Sequence, residues 1–188
     1  PNPSLAEKTG YLEKQTETNS DVIATAFTNM QGIFCTNDGR QFDVSEREWF
    51  KTAKAGTTFV SEPYFSKLDK SLCITVSVPV HDDGKNVVGV LMLDIKGEWF
   101  SEQIKDIVVG KTGNCYIMGD SGNIVGNKDI SLVKSQVSII EQAKTDKSLA
   151  STAAYLEHVW DTDESEVGYY TYKGESYISS FATMKTTD

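Results

Sequence analysis

The stretch from Leu72 to Ile95 constrains the fold more than any other part of the chain. Leu72, Ile74, Val76, Val78 and Val80 alternate with Cys73, Thr75, Ser77 and Pro79, and that period of two belongs to a half-buried strand. Asp83-Gly84 supplies a hairpin turn, and Asn86 to Ile95 returns as a more continuously apolar, more deeply buried strand. Tight pairs of this kind favour an antiparallel sheet.

Around this hairpin the remaining elements read as follows. From Ser4 to about Gln31 there is no Pro, and the only Gly is Gly10. Leu5, Leu12, Val22, Ile23, Ala26, Phe27 and Met30 recur at roughly helical spacing, so one long amphipathic helix is expected. Gly32 to Thr36 reads as a strand closed by the turn signal Asn37-Asp38-Gly39. Ser45 to Ala55 suits a short helix with Ser45 as N-cap, and Trp99, Phe100 and Ile104 suit another. After Gly110 the grammar starts again: strands at Gly113 to Met118 and Asn123 to Val125 flank the turn Asp120-Ser121-Gly122. Helical stretches follow at Val133 to Lys144 and Leu149 to Tyr155, then a closing hairpin from Gly168 to Phe181. The chain therefore reads as α+β: a long helix over residues 1–31 as a spine, then two tandem modules, 32–106 and 107–188, each with a central antiparallel sheet.

At 188 residues and 39% hydrophobic, the chain can bury a core as one domain or two small modules. Its net charge of −9, with no basic stripe, argues against nucleic acid and against adhesion to anionic lipid. Cys35, Cys73 and Cys115 are an odd, widely spaced set without zinc-ligand spacing; Cys73 and Cys115, in strand-like runs, suit small buried hydrophobes. The count fixes neither a disulfide state nor a compartment. Pro-Asn-Pro at one end and Thr-Thr-Asp at the other read as an excised domain, and no signal peptide or long apolar stretch is present.

His81 and His158 belong to no metal-spacing pattern and are expected on the surface. Asp161 to Glu166 reads as a solvated acidic loop, since it lacks the glycine and terminal glutamate of a calcium loop. Tyr169, Tyr170, Tyr172 and Tyr177 read as cross-strand packing. With no phosphate-cradling glycine loop, no nucleophile elbow, no His-Glu-x-x-His and no acid/base pair, neither an enzyme nor a cofactor is expected.

What remains is a constellation suited to binding. Arg47 offers a planar fork for a carboxylate, against the alternative of a surface ion pair with Glu46 or Glu48. Trp49 can wall a pocket or simply fill the core, and Tyr64 follows Pro63 on a stiffened loop. Asp94 ends an apolar strand, where a carboxylate must be paired, hydrogen-bonded or at a water-reachable rim; the alternative is a cap for the following helix. Together they suit a small molecule with an anionic end and a cationic or N–H donor end.

In order along the chain, Phe42-Asp43-x-x-x-Arg47-x-Trp49-Phe50, Ser61-Glu62-Pro63-Tyr64, Ile74 to Val80, Gly89 to Ile95 and Gly113 to Gly122 resemble the double Cache (dCache) extracellular sensor domains of bacterial chemoreceptors, sensor kinases and cyclic-dinucleotide enzymes. The resemblance covers most of the chain. It implies a membrane-distal PAS-like ligand-binding module, a smaller membrane-proximal one, and flanking transmembrane helices as the only tie to a membrane. One subgroup of the family binds free amino acids. By that resemblance Arg47, Trp49 and Tyr64 would hold the ligand's α-carboxylate, and Asp94 its α-ammonium. Phe42 stands where that subgroup has Tyr, and Ser66 where a second Asp is usual, so the ammonium half is thinned. The expected ligand is an amino acid, with a short-chain carboxylate or a nucleobase such as uracil as rivals, and chemotaxis is the expected output. Pairing of two copies along the first helix would fit. A ligand-free structural domain is the remaining alternative; it would be stabilised by no small molecule.

Overall fold

In the computed structural model, which describes residues 3–35, 40–67, 69–162 and 165–184, the alternating stretch is two ten-residue strands, β6 (Leu72–His81) and β7 (Val87–Lys96). The Asp82 carboxylate closes the turn by accepting from the Asn86 amide at 2.8 Å. The two strands pair antiparallel from Cys73 opposite Lys96 to Val80 opposite Gly89.

Two compact units divide the chain: Pro1–Tyr116 with Val125–Ile130, and Ile117–Ile124 with Ser131–Asp188. The first unit holds α1 (Leu5–Thr16), β1 (Val22–Thr28), β2 (Ile33–Cys35), β3 (Gln41–Asp43), α2 (Glu48–Lys54), β4 (Phe59–Val60), β5 (Tyr64–Phe65), β6, β7, α3 (Trp99–Ile104), β8 (Val108–Val109) and β9 (Gly113–Asn114). Seven of these strands form one sheet, β3-β2-β1-β7-β6-β4, with β5 also on β6.

The single helix expected over Ser4 to Gln31 is corrected: α1 stops at Thr16, and Val22–Thr28 is a strand paired with β7. Ser4 and Glu7 start α1 with a reciprocal capping box. Thr16 ends it, its hydroxyl bonding back to the Leu12 and Glu13 carbonyls. Thr18, Asn19, Ser20 and Asp21 then compete for the backbone; the Asn19 side chain accepts from Asp21 N at 3.0 Å, which favours a turn over helix. The spacing of Val22, Ile23, Ala26 and Phe27 fits either period, and partners across the sheet decide in favour of the strand.

The helix expected from Ser45 begins later. The Ser45 amide donates to Asp43 Oδ1 at 2.8 Å in an Asx turn, so the Ser45 hydroxyl caps nothing, and α2 starts at Glu48 with Arg47 as N-cap. The turn Asn37-Asp38-Gly39 lies outside the described residues.

The sheet is covered on both faces, whereas the alternation suggested one. Phe27, Val80 and Leu91 face α1, with Lys8 Nζ 4.4 Å above the Phe27 ring. On the other face Val90 packs with Phe50 and Ala53 of α2, all three at most 1% exposed, and Trp49 lies against them. The polar alternates Cys73, Thr75 and Ser77 are therefore as buried as Leu72 and Ile74.

β10 (Tyr116–Met118) and β11 (Ile124–Asn127) flank a turn at Gly119 to Asn123, which belongs to the second unit while residues 125–127 of β11 belong to the first; Gly119 N donates to Asn123 O at 3.0 Å. Helices α4 (Ile130–Ser135), α5 (Ile139–Ala143) and α6 (Ala150–Asp161) precede the hairpin β12 (Val167–Tyr172) and β13 (Glu175–Ser180). Lys173 and Gly174, at φ 49° and 84°, make its turn. Tyr170 stacks on Tyr177 across the hairpin at 5.4 Å and on Tyr155 of α6 at 4.9 Å, the packing expected of the tyrosine run, except that Tyr169 is exposed. Gly168 makes room, since a Cβ there would lie 2.3 Å from the Tyr155 ring. His81 and His158 are both exposed, and His158 Nε2 lies 2.6 Å from Glu166. Asp163 and Glu164 of the acidic run lie outside the described residues.

Cys35, Cys73 and Cys115 are free thiols, with Cys35 and Cys73 buried. Among the described residues no cluster of His, Cys, Asp or Glu could hold a metal ion, and no helix is long and apolar enough to cross a membrane.

Candidate functional site

Register puts Ala24, Asp94 and Thr75 in one transverse row across β1, β7 and β6, on the α2 face of the sheet. The next row is Ala26, Met92 and Ser77. Small side chains in both rows leave the face hollow where α2 ends its coverage. The result is a cavity of about 1080 Å³ within the first unit, lined by Arg47, Trp49, Tyr64, Asp94, Phe42 and Ser66 together. All six residues singled out from the sequence border this one space.

Thr75 organises its floor. It is 2% exposed, and its hydroxyl donates to Asp94 Oδ1 at 2.5 Å. Since that proton is committed, Tyr64 Oη, 2.7 Å away, is the donor to Thr75 Oγ1. The Thr75 backbone is bound twice to Ser61: its amide donates to Ser61 Oγ at 2.8 Å, and its carbonyl accepts from Ser61 N at 2.9 Å. The loop joining β4 to β5 is thus fastened to β6 at one residue. Pro63, without an N–H, interrupts what would otherwise be one continuous edge strand.

Desolvation dominates the electrostatics here. Burial holds the Asp94 carboxyl above the ordinary aspartate range, against the bond from Thr75, with Asp69 adding repulsion. Burial likewise pushes the Tyr64 phenol up to about 12, so it stays a neutral donor across the physiological range. An ionised Asp94 would gain from a cationic or N–H partner in the cavity.

The opposite charge comes from Arg47. Its side chain is exposed, and among the described residues its guanidinium has no hydrogen-bond or ion-pair partner, so the surface bridge to Glu46 or Glu48 is not made. Glu46 pairs with Lys51 at 2.7 Å instead. Trp49 is both core and wall: its carbonyl accepts from Ser77 Oγ at 2.8 Å, and its ring meets Phe50 edge-on at 6.1 Å. Phe42 stacks on Phe34 at 5.1 Å and extends the aromatic wall. Tyr64 differs most from its expected part, since its hydroxyl serves the Asp94 half of the cavity.

Thr75 and Ser61 were not evident from sequence. The signal available was an unbroken polar series, Cys73-Thr75-Ser77, on a strand whose other face was already apolar. Such small polar residues signal a second buried face bearing hydrogen-bonding work.

Residues 4–188 match the model of the family described as Cache domain, dCache_1, and the chain belongs to that family. It is 28% identical over 148 residues to the methyl-accepting chemotaxis protein TlpA of Bacillus subtilis, covering 78% of this chain and 19% of that protein. A shorter stretch of 63 residues is 43% identical to a protein named Citrate (Re)-synthase from Syntrophus aciditrophicus, covering 33% of this chain and 10% of that one. The chain thus spans about a fifth or less of these relatives' length. Its fold is shared with the ligand-binding domain of the Pseudomonas fluorescens chemoreceptor CtaA, solved in complex with L-serine. The TM-score is 0.65 at 21% identity, covering 94% of this chain and 72% of that one.

Proposed function

We propose that this chain is the extracellular sensor domain of a transmembrane chemoreceptor, and that its first unit captures a small polar molecule, an amino acid before any other. The first unit is the membrane-distal ligand-binding module, the second the membrane-proximal one, and the domain does no chemistry. The observation that carries this reading is that Arg47, whose guanidinium has no partner among the described residues, and Asp94, a desolvated carboxyl, line one cavity of about 1080 Å³. Arg47 and the Trp49 N–H take the ligand's carboxylate; Asp94 takes its ammonium, with Tyr64 and Ser66 beside it. CtaA domains solved with L-serine, L-alanine, L-leucine and L-isoleucine support an amino acid as the ligand.

Phe42 and Ser66 favour a second reading. With fewer acceptors at the Asp94 end, a short-chain carboxylate gains on amino acids, as does a nucleobase laid on Trp49 with one N–H to Asp94. A thermal-shift screen over amino acids, short carboxylates and nucleobases tests the proposal. A ligand at a hundred times its dissociation constant stabilises by about 2.7 kcal/mol. No stabilisation by any class, in protein shown to be folded, leaves a structural domain instead.

A further inference from the structure

We propose that Thr75 is the positioning residue of this cavity: it holds Asp94 with one carboxylate oxygen committed and the other free, and so sets how many N–H donors the cavity floor accepts. This inference rests on reading the cavity as a ligand site.

Each polar atom of Thr75 is engaged. Its amide and carbonyl hold Ser61. Its hydroxyl donates to Asp94 Oδ1 at 2.5 Å while accepting from Tyr64 Oη at 2.7 Å. The bonds therefore run one way, from Tyr64 through Thr75 to Asp94, and each donor polarises the next. Residue 75 is buried to 2% exposure on the central part of the sheet, directly opposite Asp94 in register, so the pair cannot drift apart. With Oδ1 occupied, Asp94 meets a ligand through Oδ2. Tyr64 Oη, having given its proton to Thr75, turns only lone pairs towards the cavity. The floor is then an acceptor surface of defined extent, fixed by a neutral hydroxyl rather than by a second charge.

Removing the Thr75 hydroxyl has two consequences that a space-filling role lacks. It takes away the one bond that favours ionised Asp94, so the carboxyl titrates at higher pH. It also frees the β5 phenol from the floor, so ligand nitrogen is held less well. Tyr64 and Cys73, on which Asp94 acts, and Asp69, which acts on Asp94, are its titratable neighbours. The first two are pushed upwards by burial, and Asp69 is held low by Ser71. Glu13, Glu17 and Glu48 also line the cavity, so the titration must be read at Asp94 itself.

The experiment follows the Asp94 carboxyl by carbon-detected NMR in the ligand-free chain, comparing parent, Thr75→Val and Thr75→Ser. L-serine and L-alanine affinities are measured calorimetrically in parallel as a function of pH. Thr75→Val is expected to move the Asp94 titration to higher pH, to weaken amino-acid binding by roughly tenfold, and to move the acid loss of binding upward by the same interval. Thr75→Ser, which keeps the hydroxyl, restores the parent titration. Tyr64→Phe covers the case in which Thr75→Val does not fold: it moves the same titration in the same direction by less, and no movement overturns the relay. Coincident titrations of parent and Thr75→Val overturn the positioning role whatever binds. If neither amino acid binds the parent while Asp94 responds as stated, the amino-acid reading fails and the positioning role stands.

Discussion

At residue 47 the cavity offers a cation whose guanidinium has no hydrogen-bond or ion-pair partner among the described residues, and at residue 94 a carboxyl short of solvent. The two make different demands when nothing is bound. Arg47 is hydrated and costs little, whereas an ionised Asp94 is held against desolvation. Because folding raises its pKa, the native state binds more protons than the unfolded chain between the ordinary aspartate value and the raised one. Stability contributed by protonated Asp94 is therefore present below that window and is lost as pH rises through it. Asp94→Asn should accordingly raise the melting temperature of the ligand-free protein near neutrality, by a margin that grows as pH rises through the window, while abolishing ammonium binding. Scanning calorimetry at several pH values checks this, and a lower melting temperature for the variant at neutral pH would contradict it. Arg47→Ala should leave stability unchanged and weaken carboxylate ligands by about 1.5–3 kcal/mol, roughly 10- to 150-fold. Ser66→Asp adds an acceptor to the cavity that Asp94 also lines and should favour an amino acid over its des-amino analogue by about tenfold; equal gains for both would remove Ser66 from the ammonium end.

At the scale of elements, the site depends on where the short turn before α2 is pinned. The turn before α2 is held by Gly32: Val44 N donates to Gly32 O at 2.8 Å, Gly32 has φ +83°, and a Cβ there would lie 2.6 Å from Ser45 Cα. Gly32→Ala combines backbone strain with overpacking and should destabilise by about 1–3 kcal/mol. It should also weaken ligand binding, because the displaced turn carries Arg47 two residues further on. Denaturant unfolding with a parallel affinity measurement tests the two together; a stable variant with parental affinity would show that the turn does not place Arg47. The same local chemistry explains what was legible in the sequence. The β6–β7 hairpin was readable because alternation and turn chemistry are local, and Asp94 because a carboxylate at the end of an apolar strand has few explanations, whereas Phe42 and Ser66 came only from the family resemblance. The extent of α1 was not readable from apolar spacing, since Val22, Ile23, Ala26 and Phe27 satisfy both periods. The boundary is carried by the polar run Thr18 to Asp21, whose side chains compete for the backbone. Ser45 failed as a cap because Asp43, two residues earlier, reaches its amide first. Thr75 stayed hidden because its importance comes from register with Asp94, which is a long-range fact.

For the whole molecule, the division into two compact units matters most. The cavity, the Thr75 network and the aromatic wall all belong to the first unit, while the Tyr155–Tyr170–Tyr177 stack supports the second. On the proposed reading, ligand capture begins as a stabilisation of the first unit, and a signal exists only to the extent that the ligand favours one state of the protein over another. Saturating ligand should slow amide hydrogen exchange in residues 40–67 and 72–96, where Arg47, Trp49, Ser61, Tyr64, Thr75 and Asp94 reside. Opening of that unit becomes rarer by the binding free energy, about 2.7 kcal/mol or a hundredfold slowing at a hundred times the dissociation constant, for amides that exchange through ligand-releasing opening. Exchange in residues 131–162 and 165–184 reports separately on the second unit. Slowing there of the same size would mean that the two units open as one and that ligand energy reaches the second without a switch. Slowing confined to the first unit would mean that transmission works through a difference in state rather than in stability. Protection confined to the second unit, with residues 40–67 unchanged, would place the ligand elsewhere and sink the assignment of Arg47 and Asp94.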